Sequence, residues 1–164
     1  MKSLKTKIMY IANIVLAVLG YIFMSQAYVA YKGDTFGFDV DFNASGYDLI
    51  GFEGNGTSDM IAVSNIFVCI FLAVLILASI YGLLVSFGAV KDSKFTKIAN
   101  MLNVISAVIF FVFSVIAMIC IFVNIADTPI MKDTYTAGWA VILNLILGLV
   151  TLVTSILASK FAKK

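Results

Sequence analysis

The side chains in this chain best suited to chemistry are amides and carboxylates. Asn13, Asn65, Asn103 and Asn144 sit inside long apolar runs, while Asp39 and Asp41 lie in the longest polar stretch. An amide left unpaired in an apolar medium costs about 1–3 kcal/mol. Each of the four is therefore expected to bond across helices, at roughly 0.6–2 kcal/mol apiece, to line a polar path for water or a small solute, or to make contacts between copies. Proton transfer calls for a titratable group, and nucleophilic catalysis for a base beside Ser or Cys. The apolar runs carry no Asp, Glu or Lys, and the chain has no Arg and no His. Ion-coupled transport marks itself with intramembrane carboxylates or His, which are missing here too. Cys69 and Cys120 both fall inside apolar runs, so they make neither a CxxC pair nor a loop disulfide. They read as small buried apolar residues, with a link between helices as the alternative. No catalysis, metal or cofactor is expected.

The loop carboxylates admit a further chemistry. Asp39, Asp41, Asn43 and Ser45 take alternate positions, as ligands do at the start of an EF-hand calcium loop. The rest of that pattern is missing, since Ala44 replaces the required glycine and Ile50 the bidentate glutamate. Phe36, Phe38, Val40 and Phe42 alternate with Gly37, Asp39 and Asp41, the period of a half-buried strand. A solvated strand face, recognition of a basic partner and calcium binding are the three readings. Turn residues 43–46 and a second apolar-rich stretch at 47–52 complete a predicted β-hairpin. Phe36, Phe38, Asp39, Asp41, Tyr47 and Asp48 are the candidate partner-binding residues; Asn13, Asn65, Asn103 and Asn144 are the candidate intramembrane contacts.

The elements that position these groups follow from hydropathy. Apolar runs cover residues 8–31, 60–90, 98–126 and 137–159, and each reaches the ~20 residues that cross a hydrocarbon core. Apolar content is 62%, above the roughly 45–50% of soluble proteins. In lipid every backbone group must be satisfied within the segment, so the runs predict helices. Short connections favour an antiparallel four-transmembrane-helix bundle, one domain over 1–164 with the hairpin loop 32–59 inside it. Ser25-Gln26-Ala27 imitates a signal cleavage site, but the preceding apolar stretch is long for a signal core, which favours an uncleaved first span. Tyr28, Tyr31, Tyr135 and Trp139 suit an interfacial aromatic belt. Ala78, Gly82 and Ser86 form one small-residue stripe, and Gly148, Thr151 and Ser155 another, for close packing within or between copies.

Lysine placement gives orientation. Lys2, Lys5, Lys7, Lys91, Lys94, Lys97, Lys160, Lys163 and Lys164 flank one side of the runs, and only Lys32 and Lys132 lie on the other, with every acid except Asp92. The positive-inside bias predicts a multi-pass protein of the cell membrane with both termini cytoplasmic and the hairpin outside. Abundant Ile, Phe, Asn and Lys with no Arg suits AT-rich codons and a bacterial source.

Four spans with a strand-forming first outer loop resemble claudins in topology. The claudin tryptophan and cysteines of that loop are absent, since the sole Trp is Trp139. Gly46-Tyr47-Asp48-Leu49-Ile50, ahead of the second span, is similar to a segment in small uncharacterised four-span proteins of low-GC Gram-positive bacteria. That resemblance implies a similar bundle and no activity. The functional expectation is a non-enzymatic membrane protein acting through protein contacts at its acidic, aromatic hairpin. The lipid bilayer and a protein partner or second copy are its expected contacts, with no nucleic acid. The alternative is an oligomeric passive pore or small-solute facilitator lined by asparagine layers.

Overall fold

The computed structural model describes residues 4–35, 38–51, 56–127 and 135–162. Its frame is four helices: α1 Leu4–Met24, α2 Thr57–Phe87, α3 Lys94–Asp127 and α4 Trp139–Ala162. All four are long and apolar enough to cross a bilayer. They pack antiparallel in a ring, α1 against α2, α2 against α3, α3 against α4, and α4 back against α1. Burial runs opposite to that of a soluble bundle. Ile11, Val15, Leu77, Ile119, Ile146 and Val153 face outward, while Asn13, Ser79, Asn103, Ser106, Asn144 and Thr151 are enclosed. Only a surrounding apolar solvent makes that distribution favourable, and the chain is a multi-pass membrane protein.

Both small-residue stripes pack within the single copy. Ala78, Gly82 and Ser86 are buried along α2. A Cβ on Gly82 would stand 2.5 Å from the Tyr10 ring of α1, and one on Gly148 of α4 would stand 3.0 Å from the Phe111 Cα of α3. Leu72, Leu75, Ala107 and Phe110 fill the space between helices. Gly88, at φ 81°, ends α2 in the left-handed region. Its N–H donates to Val85 and the Ala89 N–H to Leu84, the two bonds that close a helix before a turn. The run read as 60–90 therefore stops as a helix at Phe87.

The largest departure from expectation lies at the other end. The apolar run 8–31 predicts one span through Tyr31, but α1 stops at Met24 and the chain re-enters as a strand, β1 Ala27–Thr35. β1 pairs antiparallel with β2, Phe38–Ser45. The hairpin forms, but its first strand lies upstream of the predicted one, and the predicted second strand at 47–52 is a turn leading into a short 3-10 helix, Asp48–Gly51. A third strand, β3 Tyr135–Ala137, comes from the second loop at this end and pairs with β1, in the order β2-β1-β3. Phe36 and residues 52–55 lie outside the described residues. For Phe38, Asp39 and Asp41 the backbone is described, and their side chains lie outside the description.

Candidate functional site

Two polar levels cross the bundle, and they work differently. At the level nearer the lysines, Asn13 of α1 donates through Nδ2 to Asn103 Oδ1 of α3 at 2.9 Å and to Ser155 Oγ of α4 at 3.0 Å. Thr154 of α4 donates to Asn13 Oδ1. Asn103 Nδ2 donates to Ser79 Oγ of α2 at 2.7 Å. One node thus ties all four helices, including the diagonal from α1 to α3. Asn13 is fully buried and Asn103 nearly so. One turn toward the lysines, the Tyr10 hydroxyl donates to Asn100 Oδ1, a second α1–α3 link.

Toward the sheet, Asn65 and Asn144 are buried but do not bond to one another. Asn65 Nδ2 donates to the Gly46 carbonyl at 3.0 Å, and Asn144 Nδ2 donates to the Tyr28 hydroxyl. That hydroxyl in turn donates to Met24 Sδ at 3.0 Å. These two amides fasten the cap to the helices rather than helix to helix. Their Oδ1 atoms, with the hydroxyls of Ser106, Ser114 and Thr151, accept or make no hydrogen bond among the described residues. Asn124 of α3 donates to Ser58 Oγ of α2 at 3.0 Å.

A bulge explains how Tyr28 reaches the interior. β1 advances from Ala27 to Val29 while β2 retreats only from Ser45 to Ala44, so Tyr28 is the extra residue. A bulged residue leaves the ladder and is re-aimed. Tyr28 is 2% exposed, in the core rather than in an interfacial belt. Its carbonyl accepts from the Gly138 N–H at 2.7 Å. Trp139 is half exposed and meets Phe23 edge to face at 5.8 Å, and Tyr31 lies 4.8 Å from Tyr135.

The five-residue segment from Gly46 to Ile50 is the latch between sheet and bundle. Gly46 leaves no room for a side chain, because a Cβ would lie 2.9 Å from Met24 Sδ and 3.1 Å from the Met24 carbonyl. The Tyr47 N–H donates to that carbonyl, and the Tyr47 hydroxyl to the Tyr21 carbonyl at 3.2 Å. Asp48 accepts from the Ser45 N–H at 2.9 Å and the Ser45 hydroxyl at 2.7 Å. Those two donors hold the Asp48 carboxyl below its ordinary range. Asp48 is thus a turn former, and Leu49 is buried beneath it.

Between the sheet, this latch and the end turns of α2 and α3 lies a pocket of about 170 Å³ lined mainly by Val29, Leu49, Ile61, Ile121 and Ile125. No family model, curated protein or solved structure matches the chain. What the site can do is therefore read from its geometry alone. Among the described residues no three His, Cys, Asp or Glu side chains gather to hold a metal ion, and Cys69 and Cys120 are free thiols. Amides, hydroxyls and apolar walls position and bind. Sequence reasoning put Tyr28 in an interfacial belt and Ser155 in a packing stripe rather than in these networks, and it missed Ser79 and Thr154, although the hydroxyls share helical faces with the asparagines they serve.

Proposed function

We propose that this chain is a non-enzymatic bacterial cell-membrane protein that acts through protein contacts, with the four-helix bundle as a rigid base and the three-stranded sheet as the surface it presents outside the cell. The observation that carries this reading is the placement of β2 at the sheet edge. Among the described residues β1 is paired on both sides, while β2 pairs only with β1. An edge strand offers unpaired N–H and C=O groups, the template on which a partner segment adds a further strand. Asp39 and Asp41 occupy alternate positions of that edge strand, so a partner rich in lysine or arginine complements it. Lysines at the far end support cytoplasmic termini and, with them, a sheet outside the cell.

Photo-crosslinking tests the assignment. A crosslinker at position 43 of β2 in native membranes is expected to capture a discrete partner, or a second copy, that one at lipid-facing Ile156 does not. Asp39→Asn with Asp41→Asn is expected to weaken that capture severalfold while thermal unfolding stays unchanged. Identical capture from both positions would reject the edge strand as the contact.

A passive facilitator is the second reading, favoured by the unpaired polar atoms of Asn65, Ser106, Ser114, Asn144 and Thr151 along the interior. Liposome flux that falls on substitution of Asn65, Asn103 or Asn144 would support it.

A further inference from the structure

At the lysine end, α3 and α4 part around an open groove of about 830 Å³, within the range of small-ligand sites. Its chemistry changes along the membrane normal. Asp92, Lys97 and Asn100 beside α3, with Ser159 of α4, line the part nearest the lysines, and Met101, Val104 and Ile105 continue it toward the middle of the span. A polar mouth above an apolar wall matches a molecule with a polar head and a hydrocarbon tail.

The mouth is rich in donors. Tyr10 holds the Asn100 amide by its oxygen, which leaves both Nδ2 hydrogens for the groove. The Lys97 ammonium and the Ser159 hydroxyl likewise donate to no group among the described residues. Three donor groups converging on one opening call for an anion. Asp92 limits its charge. Lys97 is the one cation among the lining residues and the Asp92 carboxylate stands at the same mouth, so a phosphodiester, with its single negative charge, suits the groove better than a phosphate dianion. Lys91, Lys94 and Lys160 at the same end raise the local concentration of anionic lipid.

We propose that this groove is a phospholipid site, with the phosphodiester held by Lys97, Asn100 Nδ2 and Ser159 and one acyl chain lying along Met101, Val104 and Ile105. The site is independent of the sheet and of the protein-contact reading. It belongs to the leaflet at the lysine end, and it makes a specific lipid part of the α3–α4 interface.

Native mass spectrometry of the full chain in detergent, with phosphatidylglycerol added, tests this. Wild type and Lys94→Gln, which lies outside the groove, are expected to retain one lipid and to gain unfolding temperature from it. Lys97→Gln, Ser159→Ala and Asn100→Asp are expected to bind at least about tenfold more weakly and to lose that gain. Asn100→Asp keeps the acceptor for Tyr10 and removes the donors. Should it fail to fold, Lys97→Gln and Ser159→Ala still decide. Equal retention by Lys97→Gln and Lys94→Gln would overturn the site. So would loss from Lys94→Gln as large as from Lys97→Gln, the mark of diffuse attraction. Stabilisation by millimolar inorganic phosphate equal to that by the lipid would overturn the lipid assignment.

Discussion

Asn13 uses both Nδ2 hydrogens and its oxygen inside the bundle, whereas Asn144 makes one bond and leaves its oxygen without a donor among the described residues. The two amides sit at comparable burial and carry different weight. Replacing Asn13 by Leu strands Asn103 Oδ1 and the Ser155 hydroxyl, while Thr154 keeps the Val150 and Thr151 carbonyls, and its cost is expected to be about 1–3 kcal/mol. Asn144→Leu is expected to cost less, because it also removes an unsatisfied acceptor. Reversible unfolding in mixed micelles measures both, and equal losses would mean that the node is not the tighter of the two levels. The burial of all four asparagines was legible in the sequence, because an amide in an apolar run has nowhere else to go. Their partners were not. Asn65 bonds a backbone carbonyl on the turn before Tyr47, and Asn144 a tyrosine that composition assigns to an interfacial belt; both bonds depend on how the loop folds back.

That fold-back belongs to the elements. Residues 27–31, Ala-Tyr-Val-Ala-Tyr, are as apolar as the helix before them and also strand-prone. Hydropathy cannot separate the two at that point. The polar pair Ser25-Gln26 is the only local signal of the break, and the Ser25 hydroxyl does donate to the Ile22 carbonyl at 2.7 Å as α1 ends. β3 was illegible for a different reason, since three residues form a strand only because β1 is there to pair with them. Gly138 makes that docking possible. A Cβ there would lie 2.0 Å from the Ala27 carbonyl oxygen and 2.5 Å from its carbon, backbone atoms that cannot turn aside. Gly138→Ala is expected to destabilise by about 1–3 kcal/mol and to separate β1 from the start of α4. Hydrogen exchange checks this through lost protection of the Gly138 amide and of the amides along β3, and Gly51→Ala, which meets nothing within 4 Å, is the matched control.

For the whole molecule, composition alone gave the four spans, and the distribution of burial agrees with it. Orientation rests on the lysines. With Cys69 and Cys120 replaced by Ala, a membrane-impermeant thiol reagent applied to intact cells is expected to label Tyr47→Cys, which starts 39% exposed, and to reach Lys94→Cys only after permeabilisation. The reverse pattern would invert the protein and move the sheet to the cytoplasm.

The pairing of β1 with β3 also sets an order of assembly. β1 leaves the ribosome directly after the first span and β3 only just ahead of the last, so the middle strand waits with one side open while two further spans are made. A chain arrested before β3 would leave that side of β1 open, where the finished protein covers Val29, Ala30 and Tyr31 with β3. Closure of the small sheet thus follows the third crossing, and until then the immature chain carries an open strand flank.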